Sequence, residues 1–262
     1  MLELENVTKI FNRGTQDEKR ALNSVDLVVE KGDFITIIGS NGAGKSTLLN
    51  IIAGAHQPDE GHIRIDGKDV TRWPDYQMAR YISRVFQNPT MGTAGKMTIE
   101  ENLALAERRG KRRGLQWGVT GAHRQRYRGL LQVLGLGIEN RLKQATGLLS
   151  GGQRQSVTLL MATLALPKVL LLDEHTAALD PRTAEKVTQL TDQIVAENGL
   201  TTLMVTHNMN QALTHGNRMI MLHQGRIQMD VRGKEKQELT VAELIAKFGK
   251  TLKDETLLSC NQ

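Results

Sequence analysis

The feature that most constrains the fold is a glycine-rich loop placed between an apolar run and a helical pattern. Residues 34–38 are apolar and rich in β-branched side chains, which is typical of a strand buried on both faces. Residues 46–53 carry apolar side chains at helical spacing and end at Gly54, a common helix terminator. This order predicts an α/β domain in which a buried strand leads through a loop to a helix N-terminus.

The loop itself has the spacing of a phosphate-binding loop: Gly, four residues, Gly, Lys, and Ser or Thr. Backbone amides of such a loop surround phosphate oxygens at the positive end of a helix. We expect Lys45 to reach the β- and γ-phosphates, Ser46 to ligate Mg²⁺ and Thr47 to support the same network. Kinases, GTPases, helicases and transport ATPases all stay open at this point. The loop residues are Gly39, Ser40, Asn41, Gly42, Ala43, Gly44, Lys45, Ser46 and Thr47.

Two adjacent carboxylates follow a second buried strand. Residues 169–172 are apolar and lead directly into Asp173 and Glu174. Parallel strands present ligands at their carboxyl ends, and charged groups after a buried run indicate a cation or a chemical role. Because neighbouring strand residues point to opposite faces, we expect Asp173 to hold the magnesium shell and Glu174 to face the attacking water. A solvated loop end is the simpler alternative.

The remaining pattern predicts how the chain is organised around these motifs. Residues 2–7 and 21–29 alternate apolar and polar side chains, which predicts an N-terminal antiparallel β-layer. Helical spacing over residues 98–149, including Leu105 and Val133 among the apolar positions, predicts an inserted helical subdomain. Further elements are a hairpin at 61–68, a helix at 184–197, a strand at 201–205, strands at 219–222 and 226–229 around Gln224-Gly225, and a short final helix at 241–248.

The pentapeptide Leu149-Ser150-Gly151-Gly152-Gln153 narrows the choice of function. Its serine and glycines begin a predicted helix, so their hydroxyl and amide groups form a second anion site. The pentapeptide resembles the signature sequence of the ATP-binding-cassette (ABC) ATPases, and it stands between the phosphate loop and the carboxylate pair as that family requires. The chain therefore resembles an ABC transporter ATP-binding subunit of the bacterial importer kind. The resemblance covers about residues 2–230.

The resemblance implies roles for residues that match the family's motifs in order. The family's signature, here Ser150, Gly151, Gly152 and Gln153, closes over the ATP held by the phosphate loop of a second copy. Gln87 follows Arg84-Val85-Phe86 as in the family's glutamine loop, where the amide contacts magnesium and water. Asp180 resembles the residue of a loop that crosses the dimer interface, and His207 resembles the histidine that contacts the γ-phosphate. Phe11 stands where an aromatic ring stacks on adenine, with a core aromatic as the alternative. The implied catalytic residues are Glu174, His207 and Gln87, and the implied magnesium ligands are Ser46, Gln87 and Asp173.

Together, pattern and resemblance predict an α/β fold: a P-loop NTPase core with a parallel sheet, an N-terminal antiparallel β-layer and an inserted α-helical subdomain. We expect one ABC ATPase domain over residues 1–262. Its core lies at 1–88 and 165–230, its helical subdomain at about 89–164 and its C-terminal tail at 231–262. The expected activity is hydrolysis of ATP with Mg²⁺, coupled to import of a solute.

The expected partners follow from the same resemblance. They are a second copy in a head-to-tail ATP-sandwich dimer, integral membrane permease subunits and, for an importer, an extracytoplasmic solute-binding protein. We expect the chain at the cytoplasmic side of the cell membrane, attached through the permease, since no apolar run reaches the ~18–20 residues of a membrane span. Cys260 is the only cysteine, so no internal disulfide forms. Residues 88–109 resemble those of transporters for amino-acid-like solutes.

The positive charge of the chain leaves one alternative open. The net charge is +6, and basic residues concentrate at 108–113 and 124–128. Such a run is read as a solvated face or a face near anionic lipid, although a soluble ABC ATPase acting on ribosomes or DNA would also use it. The chain has one set of motifs and no sustained heptad, and 3% aromatic residues provide few platforms for bases, so we expect no nucleic acid. A small-molecule kinase would have no use for the signature.

Two positions depart from the family pattern. His175 follows Glu174 where the family usually has Pro. Residues 160–163, Leu-Met-Ala-Thr, replace the usual Ala-Arg-Ala run. We expect hydrolysis to survive the change at His175, because neither carboxylate moves. The change at 160–163 removes a charge from one face of a helix.

Overall fold

A computed structural model of the chain describes residues 1–111 and 118–248. Arg112, Arg113 and Cys260 lie outside the described residues. The strands are β1 (Leu2–Phe11), β2 (Lys19–Val29), β3 (Phe34–Gly39), β4 (Glu60–Ile65), β5 (Lys68–Asp69), β6 (Ile82–Val85), β7 (Val169–Asp173), β8 (Thr201–Val205), β9 (Arg218–His223) and β10 (Arg226–Arg232). The helices are α1 (Lys45–Ile52), α2 (Asp75–Met78), α3 (Ile99–Glu107), α4 (Gly121–Val133), α5 (Gly151–Thr163), α6 (Pro181–Asn198), α7 (Met209–Thr214), α8 (Gly233–Glu238) and α9 (Val241–Phe248).

The chain divides into two units by its internal contacts. The first unit joins Met1–Met78 to the chain from Thr201 onward, and the second is Ala79–Leu200. The helical subdomain expected at 89–164 lies within the second unit, and its status as a separate subdomain stays a prediction. No helix among the described residues has both the length and the apolar character that a bilayer crossing requires.

An antiparallel sheet of four strands, in the order β2-β1-β4-β5, lies in the first unit. Leu2 on β1 stands opposite Val29 on β2 and opposite Ile65 on β4. Leu2 and Leu4 are buried and Glu5 is exposed, so one face of β1 packs into the core. The predicted N-terminal β-layer and the hairpin at 61–68 are confirmed.

The same unit contains parallel strands around β3. Every residue of β3 is buried, and the strand pairs in parallel with β8 on one side and β9 on the other. β10 pairs antiparallel with β9 through a turn in which Gln224 and Gly225 both have positive φ (47° and 75°), as tight hairpin turns require. The predicted parallel sheet and the hairpin at 219–229 are confirmed. The final helix is confirmed as α9, whose Leu244 packs against Met219 and Met221.

The second unit combines a parallel strand pair with helices. β6 pairs with β7, Val85 opposite Leu172, and α3, α4 and α5 share one apolar core around Tyr127, which is fully buried. The predicted helices at 98–149 and 184–197 are confirmed. Two apolar positions of this helical pattern are not buried: Leu105 is 52% exposed and Val133 is 59% exposed.

Candidate functional site

The phosphate loop of the first unit leaves β3 at Gly39 and enters α1 at Lys45. Gly44 precedes the helix in the left-handed conformation, with φ 105°. A β-carbon on Gly44 would lie 2.4 Å from the Ala21 carbonyl oxygen, so this position requires glycine in both conformation and space. Among the described side chains none caps α1. The first amides of the helix are therefore left to an anion, as the loop sequence predicts.

Lys45 lies folded over the loop. Its ammonium group donates to the carbonyl oxygens of Gly39 at 2.7 Å and Ser40 at 3.0 Å, and the residue is 5% exposed. The charge is therefore held above the loop at the N-terminus of α1. This is the cation that the loop sequence assigns to the phosphates.

His207 belongs to the same unit and follows β8. Because Val205 on β8 stands opposite Ile37 on β3 in a parallel pair, the ends of both strands reach the same sheet edge. The Thr206 amide donates to the Ile37 carbonyl oxygen at 3.1 Å, and the Thr206 hydroxyl donates to the Gln211 amide oxygen at 2.9 Å. His207 is thus carried at the edge where the phosphate loop begins, on a segment held by hydrogen bonds.

Phe11 ends β1 and is half-buried, outside the core of the unit. Its ring meets the His56 ring edge to face at 5.5 Å, and the Lys9 ammonium lies 5.6 Å from the Phe11 ring centre. Part of the ring is therefore accessible. Stacking of Phe11 on adenine stays a prediction.

One basic residue near the loop escaped the sequence motifs. The Lys19 ammonium lies 3.3 Å from the position that a β-carbon on Gly42 would occupy. Lys19 is the first residue of β2 and lies 23 positions before Gly42 in the sequence. It belongs to none of the motifs. The pairing of β2 in the antiparallel layer, which periodicity alone does not encode, brings it to the loop.

The carboxylate pair lies in the second unit. β7 ends at Asp173, whose Oδ2 accepts a hydrogen bond from Arg84 Nη2 at 2.5 Å, and the two side chains are 13% and 14% exposed. Glu174 lies beyond the strand in the left-handed conformation, with φ 47°. The sequence pattern predicts that the alternation of side chains along a strand points the two carboxylates to opposite faces. That reasoning is wrong, because Glu174 is not part of the strand. The unusual backbone of Glu174 sets the direction of this side chain, and such strain in a non-glycine residue is common at functional sites.

His175 is buried and ties this loop to α6. Its Nε2 lies 3.1 Å from the Thr191 hydroxyl oxygen, and that hydroxyl donates its own hydrogen to the Val187 carbonyl oxygen. His175 therefore donates from Nε2 to Thr191. A hydrogen bond to a neighbouring helix restrains the position where the family usually has Pro.

The signature residues form the N-terminus of α5. The Ser150 hydroxyl accepts from the Gln153 amide at 3.3 Å, and the Gln153 side chain accepts from the Ser150 amide at 3.2 Å. Ser150 and Gly151 stay exposed, so a ligand can reach the start of this helix. The packing around position 152 leaves room for glycine alone, because a β-carbon there would lie 2.1 Å from Thr183 Cγ2. The predicted helix start is confirmed.

Gln87 follows β6 and is exposed. The chain around it is tied to α5: the Phe86 carbonyl oxygen accepts from Gln155 at 3.0 Å, and Thr93 Oγ1 accepts from Arg154 Nε at 2.6 Å. Gln87 is thus placed on a loop that is attached to the signature helix.

Asp180 caps the N-terminus of α6 by accepting from the Thr183 amide at 3.1 Å. Hydrogen bonds from Thr183 lower the pKa of Asp180 below its ordinary value. Asp180 therefore stays ionised over the physiological range, at the start of the helix that also contacts Gly152.

Comparisons with known proteins agree with this arrangement of motifs. The family model described as ABC transporter matches residues 22–177. The tyrosine transport ATP-binding protein of Clostridioides difficile (strain R20291) is 46% identical over 95% of this chain and 98% of its own length. The spermidine/putrescine import ATP-binding protein PotA of Spiroplasma citri is 36% identical over 87% of this chain, which spans 60% of PotA.

Solved structures show the same fold. The dimeric post-hydrolysis state of the ATP-binding cassette MJ0796, bound to ADP and Pi, matches with a TM-score of 0.75 and 34% identity over 88% of this chain and 98% of that one. A nucleotide-free cassette from an ABC transporter matches with a TM-score of 0.77 and 28% identity over 97% of both chains. The predicted α/β P-loop NTPase fold is confirmed. The chain belongs to the ABC transporter family as an ATP-binding subunit that hydrolyses ATP.

Proposed function

We propose that the chain drives import of an amino-acid-like solute as a head-to-tail dimer bound to separate permease subunits. Support for the solute class comes from the relative named for tyrosine transport, which matches over nearly its whole length, and from a relative named for methionine import. The proposed place is the cytoplasmic side of the membrane, with an extracytoplasmic solute-binding protein delivering the solute.

One observation carries the proposal of a dimer. Two helix N-termini in the described part of the chain are suited to anions: α1 with its uncapped start, and α5 with the exposed Ser150 and Gly151. We propose that the phosphate loop of one copy and the signature of the other grip the same ATP. This accounts for two phosphate sites in a chain with one phosphate loop.

The side chains assigned to magnesium fit a hard cation. The donors are the Ser46 hydroxyl, the Gln87 amide oxygen and the Asp173 carboxylate, and oxygen ligands of this kind suit Mg²⁺. When bound, magnesium would supply positive charge that offsets the charge of the phosphates. Arg84 engages Asp173 Oδ2, so one carboxylate oxygen is already satisfied by the protein.

The proposed roles in hydrolysis follow the residues that the motifs mark. Glu174 accepts a hydrogen bond from the attacking water and takes up its proton as the oxygen bonds to the γ-phosphorus. The bond from the γ-phosphorus to the bridging oxygen breaks, and ADP and phosphate are the products. Lys45 and the α1 amides stabilise the charge on the phosphates, and His207 holds the γ-phosphate.

We propose that Gln87 and the segment 88–95 pass closure of the dimer to a helix of the permease. The Asn102 side chain on α3 makes two hydrogen bonds to the backbone of this segment. Its Oδ1 accepts from the Ala94 amide at 2.8 Å, and its Nδ2 donates to the Ala94 carbonyl oxygen at 3.2 Å. With the Arg154 contact to Thr93, the segment is tied to two helices of the second unit. A movement of the signature helix is therefore expected to move this loop.

The test uses Glu174→Gln with Glu197→Gln as a matched control on exposed helix surface. Glu174→Gln is expected to bind ATP, to hydrolyse it at least about a hundredfold more slowly, and to elute as a dimer with ATP. The control is expected to behave as the parent chain. Hydrolysis by Glu174→Gln at the parent rate would refute the assigned role.

A further inference from the structure

The basic residues at 124–128 have no role in the nucleotide site. Two of them, Arg124 and Arg128, line a recess in the second unit. The recess has a volume of about 410 Å³ and lies between α4 and the segment 140–144. Arg124 and Arg128 line it from the helix, Arg141 and Lys143 line it from the segment, and Glu100 is the acidic side chain among its walls. Four cations thus face one anion.

The single acidic group is already neutralised. Glu100 Oε2 accepts from Arg124 Nε at 2.8 Å, and Oε1 accepts from Arg124 Nη2 at 3.0 Å. The Glu100 side chain is 8% exposed, so this two-pronged pair fixes the Arg124 guanidinium against the wall. The sign of the recess is therefore set by the other three cations.

Arg128, Arg141 and Lys143 make no ion pair with any residue in the described ranges 1–111 and 118–248. Arg126, on the same helix, pairs with Glu107, which shows that acidic partners exist on α3. Arg124 and Arg128 are four positions apart on α4 and therefore lie on the same face of the helix. Because Glu100 pairs with Arg124, an anion in the recess would meet the charge of Arg128.

The walls are held by backbone hydrogen bonds. The Ile99 and Glu100 amides at the start of α3 donate to the carbonyl oxygens of Gln144 and Leu142, both at 3.0 Å. The Gln144 amide donates to the Arg141 carbonyl oxygen at 2.8 Å. The basic segment is therefore fixed on the helix, and an anion would bind without ordering a loop.

We propose that this recess binds a phosphate group, supplied either by an anionic lipid headgroup or by a phosphorylated solute. A phosphate carries up to two negative charges and several acceptor oxygens. This matches three cations whose side-chain donors make no hydrogen bond or ion pair among the described residues. Asn140 and Gln144 also line the recess, and their side-chain amides add neutral donors. None of the residues that line the recess belongs to the phosphate loop.

The test compares the parent chain with two triple variants of equal charge. Arg128→Gln, Arg141→Gln and Lys143→Gln remove the recess cations. Lys31→Gln, Arg232→Gln and Lys234→Gln remove three exposed cations of the first unit and leave the phosphate loop alone. Binding of inorganic phosphate is measured by calorimetry in the presence of saturating ADP and Mg²⁺, which occupy the phosphate loop. Binding to phosphatidylcholine vesicles with and without phosphatidylglycerol is measured by sedimentation.

The recess variant is expected to lose about a hundredfold in affinity for phosphate or for phosphatidylglycerol vesicles, and the control variant to keep the parent affinity. Loss of vesicle binding alone identifies the lipid headgroup as the source, and loss of phosphate binding alone identifies a soluble one. Equal loss in both variants would overturn the proposal, because net charge would then explain the effect. Equal binding by all three proteins would overturn it as well.

Discussion

Arg84 and Asp173 form an ion pair with an N–O distance of 2.5 Å, although 89 positions separate them along the chain. β6 and β7 pair in parallel and bring the two side chains together. The Arg84 guanidinium also lies 4.8 Å from the Phe86 ring centre. The proposed magnesium carboxylate is therefore held by a cation of its own unit.

Replacement of Arg84 by Met is expected to lower the stability of the chain and to lower the Mg²⁺ concentration that nucleotide binding requires. Loss of the charged hydrogen bond lowers the free energy of unfolding by about 1.5–3 kcal/mol, which urea unfolding without nucleotide measures. The released carboxylate is expected to lower the Mg²⁺ concentration at half-maximal nucleotide binding. Arg84→Lys keeps the charge and serves as the control. An unchanged Mg²⁺ midpoint in Arg84→Met would show that the pair does not compete with the metal.

The two signature glycines are expected to differ in their tolerance of alanine. A β-carbon on Gly152 would lie 2.1 Å from Thr183 Cγ2, whereas one on Gly151 meets nothing closer than Leu179 Cδ2 at 3.6 Å. Gly152→Ala is expected to cost about 1–3 kcal/mol of stability through overpacking. Gly151→Ala is expected to be neutral or slightly stabilising in the helix. Thermal unfolding of the two variants measures the difference, and equal midpoints would contradict the packing described here.

The stability of the helical core is expected to depend on pH through Glu107. The Tyr127 hydroxyl donates to Glu107 Oε2 at 2.7 Å. Burial raises the pKa of Glu107, but the Tyr127 hydrogen bond and the Arg126 charge outweigh it and hold that pKa below its ordinary value of 4.5. A lowered pKa stabilises the folded state fully above pH 4.5, and this contribution disappears as pH falls through the folded value.

Tyr127→Phe is therefore expected to cost about 1 kcal/mol near neutral pH, with a gap to the parent that narrows below pH 4.5. Tyr76→Phe, at a residue that is 71% exposed, is the control and is expected to change nothing. Urea unfolding over this pH range measures both. A gap that stays constant into acid would exclude Glu107 as the linked group.

Periodicity and motif order predicted the elements around the site, because each depends on local sequence. The run at 34–38 became β3, and the signature became the capped start of α5. Contacts between distant positions were not predictable in the same way. The partner of Asp173 and the approach of Lys19 to Gly42 both depend on strand register, which no local pattern states.

The sequence pattern also does not predict every local conformation. Glu174 follows a strand pattern, and nothing in its neighbours indicates the left-handed backbone that it adopts. Leu105 and Val133 fit a helical apolar spacing and are nevertheless exposed. The spacing predicts a helix, but it does not show how wide a face of that helix the neighbouring helices cover.

The most direct test of the central proposal, that two copies complete one reaction centre, mixes two inactive variants. Lys45→Met disables the phosphate loop and keeps the signature. Ser150→Asp keeps the cap of α5 but places a negative charge against the phosphate, and Ser150→Asn is its neutral cap-preserving control. Lys45→Met and Ser150→Asp are each expected to lack ATP hydrolysis alone and to regain it when mixed, since a mixed dimer contains one intact pair of loop and signature. A mixture that stays inactive, or full activity of Ser150→Asp alone, would contradict the proposal.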